Sequence, residues 1–200
     1  MKSQEVVFTP RNIHFKDNER SVVMDLASKS LMEMYSHIVC QNKGKVLDIG
    51  FGMGFSAEKM SSLADHYTCI EINPQIYQKA LEWAKGKKNV EIIFGDWYDI
   101  IPKLTSKFDG IFMDTHHDPN YSKFEDLCHT IANENCILSI FNYFTFRELH
   151  TLNFYQYKLE PHKFTKVVPL FHTINWTHYV NGKFIKKQSN NIKSVQSYVI

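Results

Sequence analysis

The sequence lacks the features that would direct a chain through or into a membrane. It holds no apolar run long enough to cross a bilayer, and its opening residues, Met-Lys-Ser-Gln-Glu-Val-Val-Phe, lack the apolar stretch of a signal peptide. The four cysteines, Cys40, Cys69, Cys128 and Cys136, are scattered without a Cys-x-x-Cys pair. That spacing argues against a secreted disulfide framework and for reduced, buried thiols in a cytoplasmic protein. A formal net charge of +2 over 200 residues is too small to indicate a nucleic-acid or membrane partner. Repeats, low-complexity tracts and linkers are also missing, so a single domain is expected over residues 1–200. Aromatic residues are plentiful, with 15 Phe, 10 Tyr and 3 Trp, and such rings most commonly fill a core.

Hydrophobic periodicity lays out alternating strands and helices. Residues 1–20 are polar around Pro10, Arg11 and Asn12, and read as an N-terminal arm or lid. Val22, Leu26, Leu31, Met34, Tyr35 and Ile38 fall near helical spacing, which predicts one amphipathic helix over residues 21–39. Strands are expected at 45–49, 67–72, 90–94, 108–113 and 136–141. Helices are expected at 56–64, 74–85, from 97 to about 104, and at 122–133. This alternation implies a parallel sheet with right-handed crossovers. Residues 155–159, 166–171 and 174–185 read as further strands, with Asn181-Gly182 as a hairpin turn that makes the last pair antiparallel. The divisions are an arm (1–20), a ligand-binding core (21–150) and C-terminal edge strands (151–200).

The most informative stretch is residues 45–55, Lys-Val-Leu-Asp-Ile-Gly-Phe-Gly-Met-Gly-Phe. Gly50, Gly52 and Gly54 follow a strand at alternating positions, where the backbone must turn and approach a ligand. They fit Gly-x-Gly-x-Gly and not the dinucleotide Gly-x-Gly-x-x-Gly, whose third glycine would fall on Phe55. A nucleoside-binding loop of the S-adenosylmethionine type is the reading, against a bare glycine-rich turn. Asp48 can orient that loop or attract a cationic ligand. Asp48, Glu71, Asp96 and Asp114 each stand at or near the carboxyl end of one of the first four strands, so they converge on one crevice. Glu71 is placed to accept the ribose hydroxyls and Asp96 the adenine amino group. Trp97 either packs on that ring or fills the core.

These motifs resemble class I S-adenosylmethionine-dependent methyltransferases. The residues that carry the likeness are Val46-Leu47-Asp48-Ile49-Gly50-Phe51-Gly52-Met53-Gly54, Cys69-Ile70-Glu71-Ile72-Asn73 and Gly95-Asp96-Trp97. Within that class the chain is most similar to guanidinoacetate N-methyltransferase and its arginine-methylating relatives, through Gly-Phe-Gly-Met, Glu-x-Asn, Phe108-Asp109-Gly110-Ile111, Asp114-Thr115 and Arg147-Glu148-Leu149. The resemblance covers roughly residues 22–150. It implies an α/β, Rossmann-like class I methyltransferase fold, with a mostly parallel seven-stranded sheet and a C-terminal antiparallel hairpin. It also implies S-adenosyl-L-methionine as cofactor, held by Asp48, Gly50, Gly52, Gly54, Glu71, Ile72, Gly95, Asp96, Trp97 and Asp114, with Asp114 facing the acceptor nitrogen.

Two departures bear on the acceptor. The family's second acid, before the glycine loop, falls here near Ser28, with Asp25 or Glu33 as a substitute, Asp25 on a different side of the expected helix. The family's Asp-Thr-Tyr-Pro becomes Asp114-Thr115-His116-His117-Asp118-Pro119. Within that segment His116 and His117 can orient the acceptor or act as general bases near neutral pH. Alternatively Asp114, His116 and Asp118 are metal ligands, or the histidines are surface residues; no metal is expected. Thr115, Asn142, Tyr143 and Phe146 are candidate acceptor walls. The expected activity is N-methylation of a guanidino or other basic nitrogen in a small molecule or peptide, with room for a homodimer. Two rivals are an aminopropyltransferase, because Asp114-x-x-x-Asp118-Pro119 resembles the spermidine-synthase acidic loop, and a non-catalytic nucleoside-binding module.

Overall fold

The computed structural model describes residues 4–115, 121–141, 166–167, 176–180, 183–186 and 198–199. The chain begins with three antiparallel strands, β1 (Val6–Phe8), β2 (Asn12–Phe15) and β3 (Asn18–Asp25). This corrects the sequence expectation at two points. Residues 1–20 are not simply a polar arm, because Val6 and Ile13 are buried in the core. Residues 21–25 are strand, and α1 starts only at Lys29 (Lys29–Val39). The physical reason is long-range pairing: Ile13 lies opposite Met24 and His14 opposite Val22, so the branched Val22-Val23 run sits in a sheet that local helical spacing cannot see.

From Lys45 onward the elements follow the predicted alternation: β4 (Lys45–Ile49), α2 (Phe55–Leu63), β5 (His66–Glu71), α3 (Pro74–Ala84), β6 (Val90–Phe94), α4 (Trp97–Ile100), β7 (Phe108–Met113), α5 (Tyr121–Ile131) and β8 (Ala132–Phe141). Short strands β9 (Lys166–Val167), β10 (Trp176–Val180), β11 (Lys183–Lys186) and β12 (Tyr198–Val199) complete the described residues. Seven of these strands form one sheet in the order β11-β10-β8-β7-β4-β5-β6. Strands β6, β5, β4, β7 and β8 pair in parallel, while β10 is antiparallel to β8 and to β11. This is the expected α/β architecture, including the antiparallel C-terminal pair. The expected strand at 155–159 and the turn residues Asn181-Gly182 lie outside the described residues.

The central strands read as continuous apolar runs because both of their faces are covered. Alternate residues divide between two cores. Val46, Cys69, Phe112 and Ile137 face one core with residues of α1, α2 and α3. Leu47, Ile49, Ile111, Met113 and Leu138 face the other, with Trp97 of α4 and Phe124, Cys128 and Ile131 of α5. All four cysteines are buried. No described helix is long and apolar enough to cross a membrane.

Candidate active site

A cavity of about 510 Å³ opens at the carboxyl ends of β4, β5, β6 and β7, under the N-terminal sheet. Parallel neighbours stand about 4.8 Å apart, so these four strand ends span roughly 14 Å, enough for a nucleoside with an attached chain. Each strand presents its loop residues there: Gly50 and Gly52 after β4, Glu71 to Asn73 at β5, Gly95 to Trp97 after β6, and Asp114-Thr115 after β7.

The loop after β4 is tight because its backbone touches its neighbours directly. Gly50 has a φ of +96°, and a Cβ there would run into the carbonyl oxygen of Asp114, whose amide in turn donates to Ile49 O at 3.0 Å. Gly52 has a φ of +54°, and a Cβ would lie 2.8 Å from Met24 Sδ. These positions therefore require glycine both for conformation and for space. Gly54 is the residue before α2 and packs on Phe51 instead of lining the cavity.

Glu71 is 5% exposed, and both of its oxygens accept backbone amides, Phe51 N at 2.9 Å and Asn73 N at 2.7 Å. Burial nevertheless raises its carboxyl above the usual range, against the pull of those amides. The amides fix the carboxylate in the cavity wall. Asp96 caps α4 by accepting the Tyr98 amide at 3.0 Å and keeps its second oxygen for a ligand. Ile72, 43% exposed, supplies an apolar wall beside them. Trp97 borders the cavity but is mostly a core residue, with edge-on contacts to Tyr98 and Phe124 at 5.8 and 5.2 Å.

Of the two roles expected of Asp48, orienting the loop or attracting a cationic ligand, its placement fits the first. It is fully buried beneath the loop and is absent from the cavity lining. Oδ2 accepts Ser56 Oγ and Tyr67 Oη, each at 2.8 Å, which ties the start of α2 and strand β5 to β4. Burial raises its carboxyl to about 7, opposed by the two hydroxyl bonds. Asp114 lies one strand away, half-buried and in the lining. Burial of its carboxyl, with the Asp48 charge adding, also pushes it up to about 7.

Asp25 is corrected outright. Its Oδ1 accepts the Ala27 amide at 2.8 Å, capping the turn before α1, and it does not line the cavity. Its neighbours Val23 and Met24 take that place. Thr115 lines the cavity. His116, His117, Asp118, Asn142, Tyr143 and Phe146 lie outside the described residues. Among the described residues no group of three or more His, Cys, Asp or Glu is arranged to hold a metal.

The N-terminal residues Gln4, Val6, Phe15 and Ser21 of the lining were missed by sequence reasoning. Their signal was the branched Val6-Val7 pair and Ile13, separated by Pro10-Arg11-Asn12 and followed by an Asp17-Asn18 turn. Two amides anchor this sheet to the start of α3. Gln75 Oε1 accepts Val6 N at 2.8 Å, and Asn73 Nδ2 donates to Gln4 O at 2.9 Å.

The strand order, the glycine loop after β4, the acid ending β5 and the acid after β7 define a class I S-adenosylmethionine-dependent methyltransferase. The cradle suits that cofactor: the tight glycine turn brings the loop backbone of Gly50 and Gly52 to the cavity, and the carboxylates favour a cationic sulfonium. The chain belongs to the guanidinoacetate N-methyltransferase family, whose model matches residues 8–194. Protein arginine N-methyltransferase 2 of Saccharomyces cerevisiae is 33% identical over 124 residues, covering 56% of this chain and 29% of that protein. The chain spans about a third of the length of the curated relatives it matches. Two solved structures share the fold. Precorrin-6y C5,15-methyltransferase of Geobacter metallireducens has a TM-score of 0.55 at 12% identity, covering 88% of this chain and 85% of that one. Spermidine synthase of Thermotoga maritima has a TM-score of 0.57 at 15% identity, covering 77% and 62%.

Proposed function

We propose that this chain methylates a guanidino or other basic nitrogen of a small molecule or peptide, using S-adenosylmethionine. One observation carries the reading: Asp114 lines the cavity beside the glycine loop, with no hydrogen bond to its carboxylate among the described residues. Such a carboxylate binds a guanidinium or ammonium through charge-assisted hydrogen bonds. With its carboxyl near neutrality it can also take the proton that the nitrogen gives up as it is methylated. Glu71, Asp96 and the Gly50-to-Gly52 backbone would hold the cofactor, which supplies an electrophilic methyl on a sulfonium sulfur. The apolar walls and the N-terminal sheet exclude water and fix the acceptor in line, where alignment supplies much of the rate.

The names of the relatives support a nitrogen acceptor, and the spermidine synthase likeness, at 15% identity, supports the fold alone. The test is incubation with S-adenosylmethionine and a panel of guanidines, arginine-containing peptides, imidazoles and amines, followed by mass analysis. Addition of a methyl group to a nitrogen is the expected product. An aminopropyl adduct, or cofactor binding without any product, would sink the reading.

A further inference from the structure

Three of the five residues between β4 and α2 are glycines in the left-handed region, Gly50 at +96°, Gly52 at +54° and Gly54 at +78°. Such a loop has many backbone states open to it, so its native shape must be held by its neighbours. Its amides show what holds it. Gly50 N donates to Ile70 O, Phe51 N to Glu71 Oε2 and Gly54 N to Phe51 O, each at 2.9 Å. Those acceptors belong to β5 and to the loop itself. Met53 N differs: it donates to Met24 Sδ on β3, at 3.3 Å. Met24 also meets the loop at a second point. A Cβ on Gly52 would lie 2.8 Å from its Sδ and 2.9 Å from its Cε, so the thioether occupies the side of Gly52 that a side chain would take.

Met24 is itself firmly placed. It is 7% exposed, lies opposite Ile13 of β2 in the core and borders the cavity. The end of β3 beyond it is fixed by Asp25, which accepts the Ala27 amide at 2.8 Å, and by Leu26 N, which donates to Arg11 O at 2.7 Å. A thioether is a weak acceptor but a polarisable group that adapts to irregular surfaces, which suits a contact with both Gly52 and Met53. We propose that Met24 is a positioning residue for the methyl donor: held on β3, its sulfur fixes the Gly52-Met53 section of the loop in the shape that receives S-adenosylmethionine. The N-terminal sheet is then part of the donor site as well as the roof of the cavity. A loop held in its binding shape beforehand loses less freedom when the ligand arrives, and affinity rises accordingly. This role concerns the donor and is independent of which nitrogen is methylated.

The test uses the full chain and S-adenosylhomocysteine, so it needs no acceptor, and its failure would leave the proposed nitrogen methylation untouched. Met24→Leu keeps the apolar bulk and removes the sulfur. Ile13→Val trims the same core directly opposite in register and leaves the sulfur in place, so it reports what lost packing does alone. Three quantities are read for each variant: calorimetric affinity, hydrogen exchange at the Met53 amide and the denaturant midpoint. Met24→Leu should weaken affinity by about threefold to tenfold, the ordinary net effect of one hydrogen bond, and should speed Met53 exchange by a similar factor. Ile13→Val should lower the midpoint and leave the other two quantities as in the wild type. Unchanged affinity, or unchanged Met53 exchange, in Met24→Leu overturns the proposal. So does an Ile13→Val variant that loses as much affinity as Met24→Leu, since the role of Met24 would then be packing alone.

Discussion

The proposed donor and acceptor sides of the cavity are built on opposite principles. On the donor side, polar groups are held by the backbone: Glu71 by two amides, Asp96 by its cap, and the loop by glycines packed on Asp114 and Met24. On the acceptor side, the Asp114 carboxylate has no hydrogen bond among the described residues and titrates near neutrality. A cofactor shared by a whole class of enzymes can be met by a rigid cradle made in advance. Proton transfer needs a group poised between its two states, which burial beside a second acid supplies.

The largest effect expected is at Asp114. Asp114→Asn should lower kcat/KM by roughly 10²- to 10⁴-fold, the range for loss of a general base, while cofactor affinity by calorimetry changes little. Unchanged turnover would erase the contrast between the two sides. Gly50→Ala probes the donor side. Its Cβ cannot coexist with the Asp114 carbonyl, and its positive φ adds strain of about 1–3 kcal/mol. Cofactor affinity should fall and denaturant unfolding should shift to lower concentration; wild-type behaviour in both would show the loop to be pliable.

Titration sharpens the same comparison. Because Asp114 must be ionised to accept a proton, kcat/KM should rise with pH through about 7 and then level. Stability should run the other way. Asp48 and Asp114 have native values of about 7 against 3.8 as free side chains, so the native state binds more protons. Their contribution is greatest below about 3.8 and is lost as pH rises through about 7, so the free protein should weaken to denaturant across that window. Asp48→Asn should flatten this dependence; an unaltered slope would assign it to other groups. The smallest effect belongs to Gln75→Ala, which frees the Val6 amide and should cost about 1 kcal/mol, with faster hydrogen exchange at Val6. No change there would mean that burial of Val6 and Ile13, with the Asn73 bond to Gln4, holds the N-terminal sheet without the Gln75 bond.

Legibility in the sequence differed by region for the same reason. From Lys45 to Phe141 each element carries its own periodicity and its own ends: Pro74 opens α3, Asn73 caps it through the Gln75 and Ile76 amides, and Asp96 caps α4. Local chemistry is enough to read such elements. The N-terminal strands are short and gain their burial from partners far along the chain. Val22 and Leu26 therefore matched a helix that the pairing of β2 with β3 rules out.

By itself the sequence determined the alternating α/β order, the glycine spacing that selects a nucleoside loop, and an acid at each strand end, because these depend on residues a few positions apart. Only the tertiary structure decided that Asp48 lies beneath the loop instead of in the cavity, that Asp25 caps a turn, and that Met24 and Phe15 form the cavity roof. Which face a side chain takes, and how deeply a carboxylate is buried, follow from strand register and packing between segments distant along the chain.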